Sequence, residues 1–189
     1  YADVKKAQKL LAKAGWKDSD KDGVLDKKID GKKTPFTFTL MFANKDSEKY
    51  FTLYREGLKQ AGIQANLKLV EWNTLIKSLD EQKFEAVALG WGGGSVDNDP
   101  KQIWHSESAK SGGSNFIGYS NPKVDKLIDQ GRQILDKKER KKLWKQVYKL
   151  IADDAPYAFM FNDKYEHYAV AKKIGQKKDT LAYGFGTGY

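Results

Sequence analysis

Two kinds of hydrophobic pattern alternate along the first half of the chain. In residues 35–42 and 63–71, apolar side chains occupy every second position, which is typical of half-buried β-strands. Residues 84–90 form a nearly continuous apolar run, which favours a strand covered on both faces. Between these strands, apolar residues recur every three or four positions over 47–61 and 73–81, which predicts two helices. This alternation of strands and helices indicates an α/β sheet with parallel crossovers.

Helical periodicity also occurs before and after this α/β segment. Residues 3–14 predict an amphipathic helix that ends at Gly15, and residues 17–33 predict a polar turn. Residues 122–135 and 137–152 predict two helices that pack as a pair. The buried stripe of the first helix of this pair is predicted to comprise Val124, Leu127, Ile128 and Leu135.

Side chains that suit helix capping precede three of the predicted helices. Asn73 is expected to cap the second crossover helix, and Asn121 with Pro122 is expected to start the first helix of the pair. Asp136 and Glu139 have the spacing of a capping box at the start of the last helix. These caps set the expected helix boundaries.

A long glycine-rich segment, residues 89–119, begins where the third predicted strand ends. Loops of this length inside a compact domain are usually functional or disordered, and ligands bind just beyond the carboxyl ends of strands in open α/β sheets. Glycines let a ligand approach the backbone, and aromatic rings offer contact area; core packing is the alternative role for the rings. The ligand contacts expected on these grounds are Gly90, Trp91, Gly92, Gly93, Trp104, Asn115 and Tyr119.

The composition excludes several classes of site. Among 189 residues, 40% are apolar, and no apolar run approaches the roughly 18 residues of a membrane span. The chain has no cysteine, which excludes disulfides, thiolate nucleophiles and thiolate metal sites. The net charge of +9 comes almost entirely from lysines, since Arg55, Arg132 and Arg140 are the only arginines. These lysines are interleaved with acids along the chain. Since arginine is the side chain that recognises phosphate and guanine bidentately, nucleic acid is not a predicted partner.

Residues 18–26, with the sequence DSDKDGVLD, resemble the start of an EF-hand calcium loop. The bidentate acid expected at the twelfth position of such a loop is replaced by Ile29. An acidic turn without metal explains the same residues, and a bound calcium ion would have a structural role. The predicted ligands are Asp18, Asp20, Asp22, the carbonyl of Val24, and Asp26. No other cofactor is predicted.

The sequence gives little support for catalysis. His105 and His167 are the only histidines, which excludes a three-histidine zinc site. Ser106, His105 and Asp97 together contain the groups of a catalytic triad, but no GxSxG elbow accompanies them. A P-loop and a GxGxxG motif are also absent. A hydrolase that uses the glycine-rich loop and a calcium-binding structural module are the two alternatives to a ligand-binding role for that loop.

Five segments, taken in order, resemble the C-terminal part of the family 5 extracellular solute-binding proteins, which are the oligopeptide-, dipeptide- and nickel-type receptors of ABC importers. The segments are AQKLLAKAGWKDSDKDGVLDK, LKQAGIQANLKLVEWNTLIKSL, FEAVALGWGGGSVDNDPKQIWHS, GSNFIGYSNPKVDKLID and ERKKLWKQVYKLIADDAPYAFMF. Together they span nearly the whole chain in the order of the family. The acidic DSDKDG turn is also a frequent feature of that family.

The resemblance implies a lobe of the periplasmic-binding-protein type II fold, in which a mixed sheet is flanked by helices. It implies a periplasmic or extracellular receptor, lipid-anchored in some cases, that is not an enzyme and works with ABC permease subunits. It further implies a fragment: residues 1–156 would be the C-terminal ligand-binding lobe, and residues 157–189 would return toward the missing N-terminal lobe. Two strands are predicted in that region, at 156–161 and 166–170.

In the peptide-binding relatives, an acid shortly after the GW pair holds the amino terminus of the peptide. The nearest acids here are Asp97 and Asp99. Asp97 is the expected anchor, because Asp99 precedes Pro100 and fits a turn. The spacing from GW is longer than in the best-known dipeptide and oligopeptide receptors. A sugar, an opine or another small solute is therefore an open alternative to a peptide.

Overall fold

The computed structural model describes residues 3–92, 98–110 and 112–160. The chain forms two compact units, the first unit over Tyr1–Trp91 and the second unit over Gly92–Tyr189. The domain boundary expected at residue 156 stays a prediction. Residues 156–160 do not form the strand predicted at 156–161, and the remaining positions of the two C-terminal strands lie outside the described residues.

The first unit begins with helix α1, Val4–Lys13, which confirms the helix predicted at this end of the chain. Its N-cap Asp3 accepts a hydrogen bond from the Lys6 amide at 2.9 Å. The helix ends before Gly15, whose φ of +87° is favourable for glycine alone. The predicted stop signal therefore acts as expected.

The polar turn predicted at 17–33 is in large part a hairpin, and that prediction was wrong. Strands β1, Asp26–Ile29, and β2, Lys32–Pro35, pair antiparallel. Asp30 and Gly31 connect them, and both have positive φ, as a tight two-residue hairpin turn requires. Lysines occupy much of both strands, so the sequence lacks the apolar alternation that indicates a strand.

The central sheet is parallel, as predicted. Its strands are β3, Thr37–Phe42, β4, Gln64–Leu69, and β5, Ala86–Val87. Strand β3 lies in the middle and pairs with both others, so that Thr37 is opposite Gln64 and Leu40 is opposite Ala86. The paired part of β5 is two residues long, much shorter than the apolar run at 84–90.

Helices α2, Glu48–Gln60, and α3, Trp72–Asp80, follow β3 and β4 as the predicted crossovers. The N-cap of α3 is Glu71, so Asn73 lies inside the helix and the prediction that it caps the helix was wrong. A buried cluster holds the sheet to α2; its members are Leu40, Phe42 and Phe51.

The second unit is helical in its described residues. Its helices are α4, Lys101–Trp104, α5, Pro122–Arg132, and α6, Lys137–Asp154. The predicted caps are confirmed. Asn121 accepts a hydrogen bond from the Lys123 amide at 3.0 Å, and Asp136 accepts one from the Glu139 amide at 2.9 Å. Both side chains satisfy amides that a helix start leaves without an internal partner.

Helices α5 and α6 pack against each other around one buried cluster. Its members are Trp104, Val124, Ile128, Trp144, Val147 and Ile151. Leu135 does not join it, contrary to prediction, because α5 ends at Arg132 and leaves Leu135 93% exposed in the connecting loop. Among the described residues, no helix has the length and apolar character needed to cross a membrane.

Candidate functional site

In the first unit, the ends of three parallel strands lie at one edge of the sheet. Because all three run in the same direction, the residues that follow them emerge at that edge. Trp72 begins α3 just after β4 and is 56% exposed, and Trp91 follows β5 and is 44% exposed. Two large aromatic side chains thus lie partly open to solvent at the edge where ligands bind in α/β sheets.

Trp72 is a candidate contact that the sequence analysis missed. The predicted strand ends at residue 71 and the predicted helix begins at residue 73, so neither includes Trp72. The available signal was the size of its side chain, combined with its position directly after the strand predicted at 63–71. Trp91 was predicted from the same kind of position.

Gly90 and Gly92 flank Trp91 and are both exposed. A Cβ atom added at either glycine would meet no described atom within 4 Å. Packing therefore does not explain these glycines, whereas an exposed backbone is what a close approach by a ligand requires. Gly93 and Asp97 lie outside the described residues, and their ligand contacts stay predictions.

In the second unit, Asn115 joins two points of the loop between α4 and α5. It is 1% exposed. Its side-chain amide donates to the carbonyl of His105 at 3.1 Å and to that of Tyr119 at 2.8 Å, and its Oδ1 accepts from the Tyr119 amide at 2.9 Å. Within this unit Asn115 shapes the loop, and its predicted ligand contact stays a prediction.

Trp104 and Tyr119 pack together beneath this loop. Trp104 is 6% exposed, and its ring meets the Tyr119 ring edge-on at 5.9 Å. Trp104 thus has the alternative role of core packing in the second unit, and its ligand contact stays a prediction. Tyr157 also packs on Trp104, at 4.7 Å between ring centroids.

The hydroxyl of Tyr119 donates to Asp154 Oδ2 at 2.6 Å, and the side-chain amide of Asn121 donates to the same oxygen at 2.7 Å. Burial, and then the hydrogen bond to Asp154, raises the pKa of the Tyr119 phenol. The hydrogen bonds from Tyr119 and then Asn121 lower the pKa of the Asp154 carboxyl. The loop is thereby tied to the end of α6.

His105 is buried in the same unit beside a small charged cluster. Its Nδ1 accepts from the Glu107 amide at 3.1 Å, and its Nε2 lies 3.4 Å from Asp129 Oδ2 without the alignment of a hydrogen bond. The Lys101 ammonium lies between Glu107, at 3.0 Å, and Asp129, at 3.3 Å. The hydrogen bond to Lys101 is the largest cause that lowers the pKa of both carboxyls.

Ser106 does not form the nucleophile–base pair that a hydrolase would need. Its hydroxyl donates to Asp125 Oδ2 at 2.6 Å, and its amide donates to Asp125 Oδ1 at 3.0 Å. No hydrogen bond joins Ser106 to the His105 ring among the described residues. The serine holds its own loop against α5 instead.

Asp99 has the turn role expected of it. Its Oδ1 accepts from the Lys101 amide at 3.0 Å, which starts α4, and its Oδ2 lies 2.8 Å from Arg132 Nε. Both contacts lie within the second unit. Asp99 therefore has a structural role, whereas the expected role of Asp97, two residues earlier in the sequence, is to bind the ligand.

The acidic turn of the first unit gathers three carboxylates. Ligand atoms of Asp18, Asp20 and Asp22 all lie within 4.8 Å of one another. Asp26 lies outside this group and accepts hydrogen bonds from the Ser19 amide and hydroxyl at 2.9 and 2.7 Å. These bonds are the main cause that lowers the pKa of Asp26.

A lysine already neutralises part of this turn. The Lys33 ammonium contacts the Asp20 carboxylate and lies 3.6 Å from Asp26 Oδ2. The backbone amides of residues 22 and 23 donate to Asp18, as expected of an acidic turn that needs no metal. Calcium binding by this turn, including through the carbonyl of Val24, stays a prediction.

Residues 1–113 match the family model named "Bacterial extracellular solute-binding proteins, family 5 Middle". This match covers more than half of the chain. The chain belongs to family 5 of the bacterial extracellular solute-binding proteins. The resemblance noted in the sequence is therefore confirmed.

Relatives of known structure share the fold. The oligopeptide-binding protein AppA of Bacillus subtilis (strain 168) is 39% identical over 161 residues, which are 83% of this chain and 28% of AppA. The structure of Bacillus subtilis AppA in complex with a nonapeptide matches with a TM-score of 0.73 and 40% identity, over 81% of this chain and 30% of that one. NikZ from Campylobacter jejuni in complex with Ni(L-His) matches with a TM-score of 0.69 and 26% identity, over 82% of this chain and 31% of that one.

This family 5 chain therefore has a periplasmic-binding-protein type II architecture, as predicted. It spans about 30% of the length of these relatives. The described residues among its predicted contacts fall into two groups, Gly90 and Trp91 in the first unit and Gly92, Trp104, Asn115 and Tyr119 in the second unit. Trp104, Asn115 and Tyr119 are joined by hydrogen bonds and ring contacts within the second unit.

Proposed function

We propose that this chain is part of the substrate-binding component of an ABC importer, and that the whole receptor binds a peptide in a cleft between two lobes. The observation that carries the proposal is the 39% identity to an oligopeptide-binding protein over 161 residues. The matching structure of that relative holds a nonapeptide. A lobe outside this chain would complete the cleft.

The edge of the parallel sheet suits a peptide ligand. Exposed aromatic rings at Trp72 and Trp91 offer flat apolar surfaces for peptide side chains, and the open backbone at Gly90 leaves room for a peptide main chain. In this proposal, Asp97 pairs with the peptide ammonium. A charge-assisted pair in a closed cleft is stronger than a neutral hydrogen bond.

The proposal also covers location and partners. The receptor acts outside the cytoplasmic membrane, where a lipid anchor keeps it near the permease subunits that accept the peptide. It performs no catalysis, in keeping with the pairing of Ser106 to Asp125 rather than to a histidine base. The glycine-rich loop serves binding instead.

The anchor is tested with two matched variants of the full-length receptor, Asp97→Asn and Asp99→Asn. Each removes one negative charge, and the two positions are separated by one residue. Removing one partner of a buried charge pair typically costs about 2–5 kcal/mol, so Asp97→Asn should weaken nonapeptide binding by more than about tenfold. Asp99→Asn should lower the melting temperature and change affinity little, because its carboxylate holds Lys101 and Arg132.

An N-acetylated nonapeptide supplies the control on the ligand side. It lacks the ammonium, so it should bind weakly to the unmodified receptor and equally weakly to the Asp97→Asn variant. Calorimetry measures the binding of the free and the acetylated peptide to the unmodified receptor and to the Asp97→Asn variant. If the acetylated and free peptides bind alike, or if Asp99→Asn is the variant that loses affinity, the assignment of Asp97 is wrong.

A further inference from the structure

Helix α6 carries six lysines on one face. They are Lys137, Lys138, Lys141, Lys142, Lys145 and Lys149, and all six are exposed. At about 100° per residue, their directions fall within an arc of about 140° around the helix axis. With a rise of about 1.5 Å per residue, they cover about 18 Å along that axis. These six residues are called the lysine face.

The rest of the helix surface is used otherwise. Trp144, Val147 and Ile151 point into the core of the second unit. The acids of the helix lie outside the arc, with Glu139 and Asp153 beyond one of its edges. The interleaving of lysines and acids in the sequence thus becomes a segregation of charge in the helix.

Few of these lysines are neutralised within the protein. Lys142 pairs with Glu139 and Lys149 pairs with Asp153, each at 2.8 Å and each highly exposed. Exposed pairs of this kind contribute little and are readily exchanged. The other four lysines form no ion pair with a described residue. The lysine face is therefore a narrow row of positive charge available to an outside partner.

We propose that the lysine face is a docking surface for a flexible linear polyanion, a polymer that carries an anionic group at every repeat. Neighbouring side chains on one helix face are about 5–6 Å apart, so a polymer lying along the helix would pass one ammonium after another. Lysine is a compact point charge that accepts many orientations of an anion. The surface would recognise repeated charge rather than one fixed headgroup.

A flat anionic membrane fits this geometry less well. Helices that lie on a bilayer bury an apolar face in it, whereas the apolar face of α6 is used for the core of its own unit. A plane wider than the lysine face would also approach Glu139 and Asp153. The strip shape and its acidic edge favour a polymer.

The test uses the 189-residue chain and fluorescently labelled short-chain inorganic polyphosphate as the probe. Anisotropy gives the affinity over a series of sodium chloride concentrations. The variant replaces Lys138, Lys141, Lys145 and Lys149 with glutamine, and its control replaces Lys28, Lys32, Lys59 and Lys68, which are exposed lysines outside α6. Both variants lose the same charge.

The four α6 substitutions should weaken binding at low salt by about tenfold or more. They should also reduce the slope of log affinity against log salt by about 3, if each contact contributes about 0.7 as it does with single-stranded nucleic acid. The control should retain most of the affinity and slope. Circular dichroism checks that both variants are folded. If the fourfold α6 variant unfolds, a double variant replaces it, with Lys141→Gln and Lys145→Gln. The double variant is expected to give about half the change in slope.

Equal losses in the α6 variant and the control would overturn the proposal, because binding would then follow net charge alone. Binding to phosphatidylglycerol vesicles without binding to polyphosphate would also overturn it and assign the face to a membrane. Failure of the chain to bind polyphosphate at low salt would also overturn the proposal. None of these outcomes bears on peptide binding by the whole receptor.

Discussion

A tight contact between α5 and α6 in the second unit gives a sharp prediction. Gly131 lies in α5 against the Trp144 ring of α6, and a Cβ atom added there would come within 2.4 Å of Cζ3 and 2.5 Å of Cη2. Both distances are far inside van der Waals contact. Trp144 is 6% exposed and packed in the core, so its ring has little room to move. Gly131→Ala should therefore force α5 and α6 apart.

The magnitude follows from two opposing effects. Overpacking a core typically costs about 1–3 kcal/mol, and the distances here place Gly131→Ala at the upper end. Alanine in a helix interior gains up to about 1 kcal/mol over glycine, which leaves a net loss of about 2 kcal/mol. Gly57 is the matched control, because it lies inside α2 and an added Cβ would meet nothing within 4 Å. Gly57→Ala should stabilise by up to about 1 kcal/mol.

Urea denaturation followed by circular dichroism compares the two variants with the parent chain. Hydrogen exchange of peptides from α2 and α5 assigns each change to its own unit. Trp144→Leu should cost less stability in the Gly131→Ala background than in the parent chain, because contacting residues couple. The reasoning is refuted if Gly131→Ala is as stable as the parent, or if the Gly57→Ala and Gly131→Ala changes have the same sign.

Two further predictions concern the loop of the second unit and the isolated chain. Tyr119→Phe removes the hydrogen bond that contributes most to lowering the pKa of Asp154, so it should lower the melting temperature at neutral pH. A carboxyl whose pKa is lowered by folding stabilises the protein at pH values above its unfolded-state pKa, and this stabilisation is lost as the pH falls through its folded-state pKa. Because the variant lacks part of this stabilisation, it should lose less stability than the parent chain between about pH 5 and pH 2, as measured by thermal melts. The 189-residue chain alone should bind a nonapeptide at least about a hundredfold more weakly than the full-length receptor, because half a cleft neither surrounds the ligand nor excludes water. Equal affinities of the two proteins in calorimetry would contradict this prediction.

The elements with strong hydrophobic periodicity were predictable. Helix α2 differs from its predicted range by one residue at each end, because Phe51 and its helical neighbours must face the sheet. The β1–β2 hairpin was missed, since its lysine-rich strands are held by backbone pairing rather than by a buried face. The burial predicted for Leu135 was wrong, because the helical spacing of apolar residues continues past Arg132, where α5 ends.

The surroundings of the predicted site residues follow from the sequence only in part, and their ligand contacts stay predictions. The position of Trp91 beyond a parallel strand follows from the predicted topology, and the structure shows its side chain exposed there. The roles of Trp104 and Asn115 depend on how one loop folds back on itself, and their partners His105 and Tyr119 are fixed only by tertiary contacts. Sequence spacing does not specify those contacts.

The central claim is that this chain belongs to a receptor whose ligand is a peptide. Calorimetric titration of the full-length receptor with a pool of unmodified nonapeptides, in parallel with nickel–histidine and a neutral oligosaccharide, tests it most directly. We predict saturable one-to-one binding of peptide and no binding of the other two at the same concentrations. Binding of nickel–histidine or oligosaccharide without peptide would contradict the claim.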